Sequence, residues 1–176
     1  MILPDPRAKA TPADLQAQFA FLQQVRDKLT ETNNAVRDIR TLRGQLKALT
    51  TPLKTEAAYR DIVQAAEAID KKMTAVEEAL YQTKNRSDQD PLNFPIRLNN
   101  KLANLTDQAG SGDFPPTEQA RAVQQEITKQ IDEQLGQFRQ LQQQDVPALN
   151  KLVRDKAVDA IAVPKPTPPP VVPGAM

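Results

Sequence analysis

Leu15, Leu22, Leu29 and Val36 fall seven residues apart near the start of this chain, and Val25, Ile39 and Leu46 fill the complementary position of the repeat. A seven-residue apolar period is the mark of one helix packed along another, because it keeps a single stripe turned toward a neighbour. It is incompatible with a strand, whose side chains alternate every two residues. Thr11-Pro12-Ala13-Asp14 supplies the start signal: an N-cap hydroxyl, proline at the first helical position and an acid at the third. Run to about Leu49, this helix is roughly 55 Å long at 1.5 Å per residue. The spacing leaves its continuity across Gly44 open, and Pro52 reads as the punctuation that ends it.

Three-and-four spacing recurs downstream. A second helix, from about Thr55 to Gln82, carries Ile62, Ala66, Ile69, Met73, Val76 and Leu80 on one face, with Ala65, Ala66 and Ala68 allowing close approach. A short third helix opened by Pro95 has Leu98, Leu102, Leu105 and Ala109 as its stripe and stops at Gly110-Ser111-Gly112. A fourth starts at Pro115-Pro116-Thr117-Glu118 and buries Val123, Ile127, Ile131, Leu135, Phe138 and Leu141. Pro147 kinks or restarts it, with Asp145 as a new cap, and Leu149, Leu152 and Val153 carry the pattern to about Ala157.

No stretch alternates with period two between turn residues, so the expected class is all-α. Three long helices and one short predict an antiparallel up-and-down helical bundle over residues 11–158, with the third helix and the long polar loop before it covering one end. Residues 1–10, with Pro4 and Pro6, read as an extended N-terminal strap, and residues 159–176 as a Pro-rich extended tail.

The residue types that are missing narrow the chemistry. With no His and no Cys, the chain offers no imidazole base, thiolate nucleophile, zinc quartet or Glu-x-x-His pair for a di-iron site. The expectation is no cofactor, no metal and no catalytic residue. The 23 Lys and Arg are interleaved with 22 Asp and Glu, unlike the concentrated positive charge of a nucleic-acid surface. Two Tyr, five Phe and no Trp give bases no stacking ladder. No apolar run reaches the roughly 18 to 20 residues of a membrane span, and Met1-Ile2-Leu3-Pro4-Asp5-Pro6 lacks the basic start and apolar stretch of a signal peptide.

One segment is not explained by amphipathic packing. Residues 83–94 have no helical period, and a composition rich in Asn and Arg continues to Lys101. The candidate site is Asn85, Arg86, Asp90, Asn93, Phe94, Arg97, Asn99 and Asn100. These residues either latch the loop through side-chain to backbone bonds, or dock a partner through Arg86, Phe94 and Arg97.

Ordinary structure accounts for the other motifs. Glu77-Glu78 and Asp132-Glu133 read as solvated helix faces, since catalytic carboxylates need an enclosed site. Asn85-Arg86-Ser87 and Asn104-Leu105-Thr106 match a common glycosylation pattern in an Asn-rich chain. The Pro-x-x-Pro spacing from Pro166 to Pro169 arises in any proline-rich spacer. The seam of the first helix offers itself to another chain, but the other amphipathic helices need partners too, so internal packing and a monomer are expected.

Three runs carry a resemblance: Leu3-Pro4-Asp5-Pro6-Arg7 with residues 11–19, Tyr81-Gln82-Thr83-Lys84-Asn85, and above all Gln89-Asp90-Pro91-Leu92-Asn93-Phe94-Pro95-Ile96-Arg97-Leu98-Asn99-Asn100-Lys101-Leu102. Over roughly residues 3–150 the chain resembles the C-terminal helical region of large bacterial secreted proteins that carry sortilin-like, BNR-type β-propeller repeats and are often labelled glycosyl hydrolases. That label belongs to the propeller, and no Asp-box-like repeat occurs here. The resemblance implies placement: a helical appendage following a propeller, outside the cytoplasm (secreted, periplasmic or at the cell surface), with Met1 not the start of the parent chain. The expected function is a non-catalytic interaction or scaffold module with a protein partner, the propeller of the same parent among the candidates. The alternatives are a free-standing oligomeric coiled-coil adaptor pairing through the first helix, and a glycan-acting enzyme working with carboxylates alone.

Overall fold

The computed structural model describes residues 9–87 and 89–159. The expected strap up to Ala8 and the tail from Ala160 onward, with its Pro-x-x-Pro spacing, lie outside the described residues. All regular structure among the described residues is helical, an all-α bundle.

Helix α1 (Pro12–Leu53) is an unbroken rod of 42 residues, about 63 Å long at the α-helical rise. Its start follows the sequence reading. Thr11 Oγ1 accepts from the Asp14 amide at 3.2 Å and Asp14 Oδ2 accepts from the Thr11 amide at 2.9 Å, a reciprocal capping box. Gly44 does not interrupt the rod, and Pro52 does not end it at Leu49: the helix includes Pro52 and closes at Leu53. Proline removes one ladder bond and crowds the carbonyl four residues back, and the helix ends one residue after it.

The chain returns along α1 in two pieces. Helix α2 (Arg60–Leu80) begins later than Thr55 because a 3₁₀ turn, Ala57–Tyr59, precedes it. It lies antiparallel to the second half of α1, as Arg43–Glu77 (2.7 Å) and Lys54–Glu67 (3.8 Å) show by running in opposite numerical directions. Helix α3 (Leu98–Gly110) starts three residues after Pro95, which therefore precedes the helix instead of opening it. Its far end meets the first half of α1, where Gln18 Nε2 donates to the carbonyls of Ala109 (2.6 Å) and Gly112 (2.5 Å). The expectation that α3 covers one end of the bundle is thus corrected. A rod as long as α1 exposes an apolar face that α2 alone is too short to cover, and α3 covers the remainder.

The third layer is α4 (Glu118–Gln140) and α5 (Val146–Asp155), joined by a π-helical turn at Leu141–Asp145. Thr117 caps α4 by accepting from the Ala120 amide at 3.1 Å. This layer runs parallel to α1 through Lys28–Asp132 (2.7 Å) and antiparallel to α2 through Lys72–Asp145 (2.7 Å) and Lys156–Asp61 (3.0 Å). Burial works against the charge on Lys28, but its bonds to Asp132 and Glu31 outweigh that and raise its pKa. Pro147 stands at the second residue of α5, where the α-helix restarts, but Asp145 does not cap it. The π turn, closed by Val146 N to Leu141 O, widens the ladder just before the proline ring. Asp145 stays helical and takes the ammonium of Lys72.

Phe21, Val25, Ile39, Ile62, Met73, Leu80, Leu102 and Ile131 are the fully buried centre, each contributing roughly 1.5–3 kcal/mol of transfer free energy. The seam read on α1 is largely the buried one: Val25, Val36, Ile39 and Leu46 are buried and Leu22 and Leu29 are half-buried against the core, while Leu15 is exposed and Thr32 and Leu53 join the buried line. Neighbours on two sides pull the buried face to a line between them. Thr32, fully buried on that line, is satisfied by donating to the Lys28 carbonyl at 2.7 Å. Val123, expected inside, is exposed one turn into α4.

Candidate interaction surface

The loop between α2 and α3 leaves α2 at Tyr81, whose backbone turns extended. The guanidinium of Arg40 lies 4.8 Å from the centre of its ring, a cation–π contact that fixes where the chain departs. Gln82 then ties the two ends of the loop together: its buried amide donates to the Pro95 carbonyl at 2.7 Å and accepts from the Lys84 amide at 3.2 Å. Asp90 fastens the middle. Its carboxylate accepts from the amides of Arg86 and Ser87 and from the Ser87 hydroxyl, the latter two at 2.9 Å. The Arg86 amide first, then the Ser87 amide and hydroxyl, hold that carboxyl below the usual aspartate value. The Asp90 carbonyl in turn receives the amides of Asn93 (2.9 Å) and Phe94 (2.8 Å), closing a 3₁₀ turn at Asp90–Leu92.

The latch reading of this segment therefore has a concrete form, carried by Asp90 and by Gln82. Asn99 is buried and its Oδ1 accepts from the Asn100 amide at 2.8 Å. Asn85 Oδ1 is buried without a hydrogen-bond partner among the described residues. Phe94 is half-buried with the Lys84 ammonium 5.9 Å from its ring centre. Arg86, Asn93, Arg97 and Asn100 are exposed. Arg97 occupies the cap position of α3 with extended backbone, and its side chain, having no acceptor, does not cap.

Two residues escape the sequence reading. Leu92, at the end of the 3₁₀ turn, is 88% exposed, the most exposed large apolar side chain among the described residues. No periodicity marks it, because the loop has no period.

Glu77 is the reverse case: expected on a solvated face, it is buried at 3% exposure. It lies between Met73 and Leu80 on the apolar face of α2, four residues after one and three before the other, and its carboxylate accepts from Arg40 Nε (2.6 Å) and Arg43 Nη1 (2.7 Å). Arg43 also donates to Asp70 at 2.8 Å, and that bond is the main cause of its raised pKa, with Glu77 adding to it against burial. This clamp commits its carboxylates to guanidinium groups. Glu78, Asp132 and Glu133 are exposed as expected.

The geometry as a whole is that of a stiffened loop displaying an apolar side chain and guanidinium groups on the flank of a helical bundle. No helix among the described residues is long and apolar enough to cross a membrane. Comparison with family models, curated proteins and solved structures finds no match to this chain.

Proposed function

We propose that the chain is a non-catalytic helical interaction module that presents residues 85–101 to a protein partner. The observation that carries this is Leu92, 88% exposed on a turn that Asp90 and Gln82 already hold in one shape. Ordering a loop at the moment of binding costs affinity, and a loop ordered beforehand avoids most of that cost. Arg86 and Arg97, exposed on either side, supply the forked donors that recur at protein interfaces.

The resemblance adds placement to the proposal: an appendage following a β-propeller, outside the cytoplasm, with that propeller as the first partner to test. A photo-crosslinking side chain at Arg97, compared with one at the exposed Lys71 of α2, tests the surface. Adducts from position 97 that disappear in Asp90→Asn, while helicity is unchanged, are expected. Equal adducts from both positions overturn the reading, as does turnover of a glycan that one acidic substitution abolishes. The reading frame immediately upstream of Met1 tests the placement, and a frame without propeller repeats removes it.

One observation favours the coiled-coil adaptor reading. Leu15 and Phe19, one turn apart on α1, are 43% and 55% exposed. A dimer abolished by Phe19→Asp would establish it.

A further inference from the structure

Leu92 and Phe114 are 88% and 71% exposed, more than any other large apolar side chain among the described residues. They stand on opposite sides of α3, Leu92 before Leu98 and Phe114 after Gly110. Charge follows the same polarity. Lys84, Arg86, Arg97 and Lys101 are exposed before α3 or in its first turn, against an Asp90 whose carboxylate is engaged within the loop. Asp107, Asp113 and Glu118 are exposed at the far end, against the single exposed Arg121 one turn further along α4. None of these eight exposed charges forms an ion pair with another described residue.

The Phe114 end is also a receptor. A hollow of about 350 Å³ there is lined by Ala109, Phe114, Pro115, Pro116 and Ala120, with Gln108, Ser111 and Thr117 as its polar members. The ring lies over Gly112, where a Cβ would stand 2.9 Å from Phe114 Cε2, so glycine is what lets it lie there. Between the two ends, α3 packs inward on α1 and α4 and leaves Asn100, Asn104 and Asp107 facing out. An apolar knob at a mainly basic end and a mainly apolar hollow at a mainly acidic end are separated by a helix whose midpoint is Asn104, so reversing one copy brings unlike ends together.

We propose that a second copy of this chain docks antiparallel on α3, seating each Leu92 in the hollow beside the partner's Phe114 and each basic end against the partner's acidic end. The contact is isologous, so it closes as a two-fold dimer and does not propagate. The proposal rests on the reading of residues 85–101 as a contact surface, and it names this chain as the partner.

Sedimentation of the whole chain over a concentration series, at low and high salt, tests it. A monomer–dimer equilibrium that weakens with salt is expected, because exposed charges are screened beyond about 10 Å at 0.1 M. Leu92→Asp, at a side chain outside the core, should raise the dissociation constant roughly 100-fold, about tenfold for each of the two knobs withdrawn. Phe114→Asp should act in the same direction.

Charge reversal tests the orientation. Arg97→Glu with Lys101→Glu makes both ends acidic, and Asp107→Lys with Asp113→Lys makes both basic. Each variant alone should be monomeric, and an equimolar mixture should dimerise.

A wild-type chain that is monomeric throughout, mass that grows past the dimer, or a dimer indifferent to Leu92→Asp overturns the proposal. A monomeric chain whose position-97 crosslinks still capture a different protein overturns self-association alone. Absence of both overturns the interaction reading with it.

Discussion

Removing the carboxylate of Glu77 should destabilise the bundle more than any other single charge deletion among the described residues, because it lies inside and its two guanidinium partners are unequally able to do without it. The Glu77 side chain is 4% exposed, while Arg40 is 51% and Arg43 33% exposed. Each charge-assisted bond is worth roughly 1.5–3 kcal/mol, for a gross loss of about 3–6 kcal/mol. Arg40, half in water, rehydrates and recovers most of its share, and Arg43 keeps Asp70 at 2.8 Å. That discount, set against the roughly 3–5 kcal/mol of fully buried pairs, puts Glu77→Ala near about 3 kcal/mol.

Urea unfolding followed by far-UV circular dichroism should then show a midpoint lower by about 1.5 M, at an m-value of about 2 kcal/mol/M. Glu77→Met, which fills the same space but leaves both guanidinium groups without that carboxylate, should recover only the packing share of the loss and still cost about 2 kcal/mol, since removing one partner of a buried pair leaves the other uncompensated. A Glu77→Ala change below about 0.5 kcal/mol would mean the pair contributes nothing net and would falsify the assignment of Glu77 as the clamp between α1 and α2. A Glu77→Met cost below about 0.5 kcal/mol would refute the clamp account by showing that filling the space is enough.

Further outcomes follow from the same coordinates. Gly44 sits in the interior of α1 with open space where a side chain would stand, so Gly44→Ala should stabilise by about 0.5–1 kcal/mol, seen as a raised thermal midpoint; a lowered one would point to a packing role for the bare backbone. Gln82→Ala removes the bond that ties the loop to the Pro95 carbonyl and, with Pro95 open to water, should cost about 0.5–1.5 kcal/mol, with faster hydrogen exchange at the Lys84 amide as its local sign. Asp90 has a folded pKa below 3.8, so its latch is fully present above the unfolded value and is lost as pH falls through the folded one. An NMR titration should therefore move the Arg86 and Ser87 amides only at acid pH, and Asp90→Asn should remove the transition; movement near neutrality would contradict the assignment.

Much of this architecture was legible in the residues. Thr11 with Asp14, and Thr117 ahead of Glu118, mark helix starts because a cap is a local contest between a side chain and the next few amides. Ile62, Ala66, Ile69, Met73, Val76 and Leu80 mark a buried face because one helix packed on one side needs a single stripe, and all six are buried. The reading failed where burial depends on more than one neighbour. Leu15 was overvalued and Thr32 overlooked because α1 meets two layers, and Glu77 was placed outside because a carboxylate looks solvated until Arg40 and Arg43 are seen to reach it. In the candidate site, Asp90 was identified from its company of turn-forming residues, whereas Gln82 was counted as the end of a helix.

The sequence by itself determined that this chain is helical, where its helices are, and which unusual loop separates the second from the third, since those follow from spacing and from bonds between residues a few positions apart. Only the tertiary structure decided that α2 and α3 cover α1 in succession, that Glu77 is clamped inside, and that Leu92 and Phe114 stand exposed at opposite ends of one short helix. Those facts depend on contacts between residues tens of positions apart. The energy of such contacts comes from the surface that packing removes from water, and a linear pattern does not specify which pieces meet.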